Sequence, residues 1–528
     1  MSFASEGQED AIRLLSYPAT FGAGTEQVER VETHVSLVFL GRDRVFKLKR
    51  AVVFPYLDFS TLENRRLACE AEVRINRRTA PDIYRGVAAI VRKPDGTLSL
   101  NADGTGGEVI EWVVDMVRFD QDTLFDRLAQ GEKLDRRLME DLADTIADFH
   151  GQAEIRKASD AGGRNGIGMI LKSNDACFAQ STSNILDRGE SKALTRQSLE
   201  LLDTIGPLLD RRREAGRVRL CHGDLHLRNI CLFAGKPTLF DAIEFNDAFT
   251  TIDVLYDLAF LLMDLNHRGL GRLSSILFNR YFDLTGEGSE DLGGLKAMRL
   301  FVSMRAAIRA HVDMAQAEIL SDRGQAERRA GEAAEYLKMA GDALTPPVPR
   351  LIAVGGLSGS GKSRMARELA PHIGTMPSGA MLGARVVRSD STRKRLAGAA
   401  LTDRLGPDGY SADMTERTYR AVFEEVAAGL RAGVPVIADA VFARPDQRRE
   451  VAEIARAQGV SFTGLWLKAT PEVMADRVTK RKRNVSDADA GVLQSQLDYD
   501  LGEMEWQTID SSGSREDTLK AGLEVVID

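Results

Sequence analysis

The period of the apolar positions changes near residue 118 and again near residue 350. Between 31 and 118 they come in runs of strand length: Val31–Leu40 and Val45–Leu48 flank the polar turn Gly41-Arg-Asp-Arg44, and Glu108–Val117 is another such run. From Asp135 to about Ala343 the spacing is helical, as in Leu138, Leu142, Ile146 and Phe149. Thr345-Pro-Pro-Val-Pro-Arg350 stops the charge-rich helical stretch Gln325–Ala343, because proline lacks the amide hydrogen and the φ freedom that a helix needs. Leu351-Ile-Ala-Val354 then reads as a buried parallel strand. The pattern predicts an N-terminal domain over 1–346, with a sheet lobe at about 30–118 and a helical lobe at about 119–346. A second domain follows over 347–528.

Composition agrees and adds limits. A chain of 528 residues exceeds one core at roughly 100–200 residues per domain. Its 43% hydrophobic and 28% charged residues exclude a mainly disordered polymer. The longest apolar run, Leu255–Met263, is interrupted by Asp257 and falls far short of the ~20 residues of a membrane span. Met-Ser-Phe-Ala-Ser-Glu at the start carries no secretory pattern, and four scattered cysteines suit a reducing compartment. A cytoplasmic enzyme without a membrane partner is expected. The net charge of −8 disfavours a broad nucleic-acid surface, and nothing in the sequence reports the oligomeric state.

Candidate chemistry is densest after the first C-terminal strand. Gly356-Leu357-Ser358-Gly359-Ser360-Gly361-Lys362-Ser363 satisfies the phosphate-loop pattern G-x-x-x-x-G-K-[ST] between a strand and a helix. Its glycines allow backbone N–H groups to turn around phosphates, with Lys362 at the β/γ-phosphates and Ser363 on Mg²⁺. Val386-Val-Arg-Ser-Asp390 reads as a second strand ending in an acid. Asp390 would take the proton of an attacking hydroxyl, and Arg393 would bind the acceptor. Val434–Asp439 is a third strand, with Asp439 supporting the metal. Arg477 and Arg481 share a helix face and would close over the phosphates. These residues resemble the small P-loop kinases that include zeta-toxin-like proteins, gluconate-type kinases and the kinase part of phage polynucleotide kinase.

In the first half, His222-Gly-Asp224-Leu-His226-Leu-Arg-Asn229 has the acid-to-amide spacing of a kinase catalytic loop, and Asp241 ends the following apolar run. Asp224 would orient the acceptor hydroxyl; Asn229 and Asp241 would hold Mg²⁺. A competing reading makes His222, Asp224 and His226, with Cys221 and Cys231, a transition-metal site. Upstream, Lys47 or Lys49 would hold the α/β-phosphates, Lys47 preferred because two apolar residues precede it. Its partner is Glu72 or Glu70, with Glu72 preferred. No glycine fingerprint occurs between 25 and 45, so Thr33-His-Val-Ser36 would cover the phosphates.

This set resembles the aminoglycoside-phosphotransferase branch of the kinase-like fold, including Phe149-His150 before the loop and Asp257 after it. The two resemblances together imply an α+β, kinase-like bilobal N-terminal domain followed by an α/β P-loop domain with a parallel sheet. They imply a bifunctional ATP- and Mg²⁺-dependent phosphotransferase acting on hydroxyls of small, sugar- or aminoglycoside-like molecules. Two alternatives remain at this stage. The C-terminal domain would be a polynucleotide 5′-kinase, drawing on Arg393-Lys394-Arg395, or one domain would be a nucleotide-sensing regulator. The proline-rich segment offers no continuous helix through which one site could act rigidly on the other.

Overall fold

Alternating apolar residues build the first sheet with both faces covered. The structure, a computed structural model, describes residues 7–54, 57–101, 104–158, 161–180, 185–286, 292–374, 378–380, 382–480 and 490–527. Strands β1 (Glu29–Glu32), β2 (Ser36–Leu40), β3 (Arg44–Lys49), β6 (Tyr84–Arg92), β7 (Leu98–Asn101) and β8 (Glu108–Val117) form an antiparallel sheet in the order β1-β2-β3-β8-β6-β7. A small hairpin, β4 (Val53–Phe54) and β5 (Leu57–Asp58), lies between β3 and the helix Leu62–Asn76. Phe39, Phe46, Leu48 and Val113 pack on Ala11 and Leu15 of the helix Glu9–Leu15. Val45, Val114 and Met116 on the opposite face pack on Cys69 and Val73 of the helix Leu62–Asn76. Lys47 and Lys49 alternate with Phe46 and Leu48, so both lysines leave β3 on the face that carries that second helix.

Two sequence expectations need correction. The run Val31–Leu40 is not one strand: the chain reverses between β1 and β2, where the Thr33 N–H donates to the Ser36 carbonyl and the Ser36 N–H to Thr33 Oγ1, both at 2.9 Å. A threonine closing a turn with its side chain leaves no mark on an apolar pattern. Helical spacing across 135–343 also hides four short strands, β9 (Val218–Leu220), β10 (Ile230–Phe233), β11 (Lys236–Leu239) and β12 (Thr251–Asp253). They pair as β9–β12 and β10–β11, and at three or four residues each they are too short to show a period.

The chain divides into two compact units. The first comprises residues 1–141, 148–166 and 210–261, and the second 142–147, 167–209 and 262–528. The second unit contains an antiparallel hairpin of the helices Leu295–Ile319 and Arg323–Leu344, in which buried Asp313 pairs with Arg309 of its own helix at 3.1 Å and, across the hairpin, with Arg329 at 2.9 Å. The proline-rich segment 345–350 lies inside this unit. Beyond it, β13 (Arg350–Gly355), β14 (Arg385–Arg388), β15 (Val436–Asp439), β16 (Ser461–Lys468) and β17 (Gln507–Asp510) form a parallel sheet ordered β14-β15-β13-β16-β17. Apolar clusters cover both faces, and Leu351–Val354 of β13 are buried at its centre. Strand order reverses at β13, the position where open parallel sheets bind ligands at their carboxyl ends. Among the described residues no helix is long and apolar enough to cross a membrane.

Candidate active sites

The first site grows from β3, the helix Leu62–Asn76 and the loop between β9 and β12. Lys47 Nζ lies 2.8 Å from Glu72 Oε1 and 2.6 Å from Asp241 Oδ1. Lys49 is buried and pairs with the other oxygen of Glu72 and with Glu244. Glu70 is on the exposed side and pairs with Arg66 at 2.5 Å. The geometry therefore joins Lys47, Glu72 and Asp241, and puts Lys49 behind them. Burial works against the charge on Lys47, but the carboxylates of Asp241 and Glu72 outweigh it and hold the ammonium well above the usual lysine range. Burial would likewise raise Glu72; Lys47 and Lys49 hold it down to about 2.

Asp241 has φ of 60°, a left-handed conformation that costs a non-glycine residue energy and persists only where its surroundings enforce it. Two groups do so. The Asp241 N–H donates to Tyr84 Oη at 3.2 Å, and the Ala242 N–H to Asn76 Oδ1 at 2.8 Å. Neither Tyr84 nor Asn76 is signalled by a motif: Asn76 stands among Arg74, Arg77 and Arg78, and Tyr84 between Ile83 and Arg85. The Asp241 side chain keeps 42% of its surface exposed although Lys47 holds it, so an oxygen remains open to a ligand.

The loop holding Asp224 hangs on Asp257. Its carboxylate accepts the N–H of His222 at 3.0 Å and of Gly223 at 2.9 Å, and His150 Nε2 at 3.2 Å. Gly223 sits at φ of 84°, where a Cβ would press on the Phe249 carbonyl and Thr250 at 3.0 Å, so glycine is required. The Asp224 N–H meets His222 Nδ1 at 3.3 Å while His222 Nε2 meets the Phe240 carbonyl at 2.9 Å. Nδ1 accepts and Nε2 donates, a neutral tautomer consistent with burial lowering the His222 pKa. Asn229 Nδ2 donates to the Asp224 carbonyl at 3.0 Å and to Oδ2 at 2.9 Å, which leaves the Asn229 amide oxygen for another partner.

The transition-metal reading finds no support in this geometry. Cys221 Sγ points to the Ile252 carbonyl, Cys231 is buried with its thiol pushed up to about 12, and His222 is spent on the backbone. His150, Cys221 and Asp257 do cluster, but the Asp257 oxygens are taken by the loop amides. Asp257→Ala would strand those buried donors at a cost of about 2–5 kcal/mol. The full chain should then lose its earliest thermal transition to a lower temperature, a shift that calorimetry measures directly.

The second site follows β13. Gly356 (φ 143°), Gly359 (φ 84°) and Gly361 (φ 95°) bend the loop, and a Cβ on Gly359 would stand 2.5 Å from the Met474 carbonyl. Gly361 caps the helix Lys362–Leu369, on which Lys362 is buried. Leu357 packs against the apolar cluster that contains Leu351 and Ala353, Ser358 N–H donates to Gln496 Oε1 at 2.8 Å, and Ser363 follows Lys362 in the first helical turn. Ser360 Oγ is buried without a hydrogen-bond partner among the described residues. Arg477 donates to the Gly359 carbonyl at 3.4 Å and the Ser511 carbonyl at 2.7 Å, placing it against the loop. Arg481 lies outside the described residues.

Val354 of β13 pairs with Asp439 of β15, and Asp439 with Arg388 of β14, so the carboxyl ends of three strands converge beside the loop. Asp439 is 2% exposed; one oxygen meets Arg388 at 3.3 Å and the other, Oδ1, has no partner among the described residues. Asp390 does not end the strand, as the sequence suggested, but occupies the first turn of the helix Ser389–Leu396. Arg388, overlooked in the sequence, stands among carboxylates. Burial opposes its charge while Asp439, Asp283 and Asp390 raise its pKa. A cationic residue closing an apolar strand was its available signal. Arg393 donates to the Gly409 carbonyl at 2.8 Å and stacks on Tyr410 at 5.0 Å. Lys394 is buried on the Leu401 carbonyl, and Arg395 pairs with Glu425. The three-residue basic cluster is therefore turned to internal partners.

Residues 68–297 match the phosphotransferase enzyme family, and residues 351–500 match an AAA domain. An uncharacterised protein of Mycobacterium tuberculosis is 29% identical over 497 residues, spanning 92% of each chain. Among solved structures, a choline/ethanolamine kinase family protein from Mesorhizobium loti is 12% identical, with 64% of this chain and 98% of that one covered and a TM-score of 0.38. A gluconokinase from Sinorhizobium meliloti is 21% identical over 34% of this chain and 93% of its own, with a TM-score of 0.25. The chain is an ATP-dependent phosphotransferase in which residues 68–297 are similar to the phosphotransferase enzyme family and residues 351–500 to an AAA domain.

Proposed function

We propose that the two domains, 1–346 and 347–528, each transfer the γ-phosphate of ATP to a hydroxyl of a small molecule. The observation that carries this reading is the Lys47–Glu72–Asp241 junction in the same unit as a braced Asp224–Asn229 loop, with the phosphate loop in the other unit. In the first site Lys47 holds the α/β-phosphates and Glu72 fixes Lys47. The acceptor oxygen attacks the γ-phosphorus, the bond to the β-phosphate oxygen breaks, ADP leaves, and the hydroxyl proton passes to the Asp224 carboxylate. In the second site the loop amides of 356–361 and Lys362 receive the phosphates, Arg477 closes on them and Asp390 takes the proton of the acceptor hydroxyl, while Arg393 is held on the Gly409 carbonyl.

A divalent cation fits both sites. Asn229 has a spare amide oxygen and Asp241 a partly open carboxylate, and Asp439, on the strand next to the one that leads into the phosphate loop, has a buried oxygen with no partner among the described residues. When bound there, Mg²⁺ would neutralise charge on the transferring phosphates. The inward commitment of Arg393, Lys394 and Arg395 favours a small acceptor over a nucleic-acid end. A cytoplasmic setting suits ATP chemistry and four free thiols. The test is ADP release by the full chain, by Asp224→Asn and by Lys362→Ala across a panel of hydroxylated small molecules. Two acceptor-dependent activities, each lost in one variant, are expected; a single activity lost in both would refute two separate sites.

A further inference from the structure

β14 is an edge strand, yet its edge is not bare. Asn279, on the helix Gly271–Thr285, accepts the Val386 N–H at 2.7 Å through Oδ1 and donates to the Ala384 carbonyl at 3.2 Å through Nδ2. One amide thus does what a neighbouring strand would do. The same helix reaches the phosphate-loop helix, where Arg272 makes a bidentate pair with Glu368 at 2.8 and 2.9 Å. Nearby, a Cβ on Gly379 would stand 2.8 Å from the Asn266 carbonyl, so backbone lies on backbone.

The centre of this contact is ionic. Arg385, at 1% exposure, donates to Asp283 Oδ1 at 2.7 Å and to the Asn279 carbonyl at 3.2 Å. The other Asp283 oxygen accepts the Ser391 hydroxyl at 2.9 Å. A buried ion pair is a poor source of net stability, because desolvation offsets its attraction, but it fixes direction. Here a single carboxylate ties the start of β14 to the first turn of the helix that carries Asp390, and Ser391 is the next residue after Asp390.

We propose that Asp283 is a positioning residue for phosphoryl transfer at the phosphate loop: acting through Ser391 and Arg385, it sets the placement of Asp390. The helix Gly271–Thr285, which precedes the proline-rich segment, is then a working part of the P-loop half. This rests on the reading of Asp390 as the acceptor-side base.

The test uses the full chain with Mg·ATP alone, so that water is the acceptor, and reads the ADP release that Lys362→Ala removes. Ser391→Ala, which keeps the Asp283–Arg385 pair and hence the fold, and Asp283→Asn should each lower kcat about tenfold or more, as expected for a misplaced reacting group. The KM for ATP should stay within about twofold, and the double variant should be no slower than the worse single one, since both break one link. A purely structural tie would lower the unfolding temperature and leave kcat per folded molecule unchanged. If both variants turn over within about twofold of the parent while Asp390→Asn is slow, the positioning role is refuted. If Asp390→Asn itself turns over normally, the reading of Asp390 fails first and the positioning role falls with it.

Discussion

Asp224→Asn is expected to slow transfer at the first site by about 10²–10⁴-fold, the range attached to a positioned base, while ATP affinity stays nearly unchanged. The separation follows from where each contact is made. Lys47, Glu72 and Asp241 meet one another where the proposed site takes the phosphates, and Asp224 takes no part in that junction. The substitution also spares the loop. Asn229 Nδ2 still finds the backbone carbonyl of residue 224 at 3.0 Å, and the Asp257 bonds to the His222 and Gly223 amides do not involve the side chain replaced. Turnover with a saturating acceptor and titration with an ATP analogue measure the two halves of this expectation. Near-parental turnover in a folded variant would show that Asp224 is not the base.

Lys362→Ala is expected to remove turnover at the phosphate loop by about 10²–10³-fold, the effect of deleting one preorganised charge at a transferring phosphoryl group. Lys362 is buried at the helix start beside Gly361, so no solvent-exposed cation can substitute for it. First-site activity should persist, because Lys47, Glu72, Asp224, Asn229 and Asp241 all belong to the other compact unit. The proline-rich segment is a poor basis for predicting independence. Within the second unit, the helix Gly271–Thr285 before it bonds directly to β14 and to the phosphate-loop helix. Separate residue sets, rather than a flexible connection, would keep two chemistries apart.

What the sequence disclosed depended on whether local spacing carried the information. The phosphate loop was legible because its glycines, Lys362 and Ser363 answer a demand met within eight consecutive residues, and the parallel sheet because its buried strands are plain apolar runs. Asp224 and Asn229 were legible for the same reason. The choice of Glu72 over Glu70 was not decided by pattern, since both lie on one helix and only the fold turns Glu72 inward to Lys47 and Glu70 outward to Arg66. Asn76 and Tyr84, which hold Asp241 at positive φ, act over separations of 166 and 157 residues and have no local signature. Asp283 was invisible for a related reason: its partners Arg385 and Ser391 come more than a hundred residues later. Asp390 opens a helix instead of ending the strand, because Arg388 and Ser389 interrupt the apolar run without announcing that helix.

Isothermal titration of the full chain with a non-hydrolysable ATP analogue and Mg²⁺ tests the two-site account most directly. Two binding events are expected in the parent and one after Lys362→Ala, the survivor being the site built on Lys47, Asn229 and Asp241. A single event in the parent, abolished by Lys362→Ala, would contradict the account and leave the first domain without a nucleotide site.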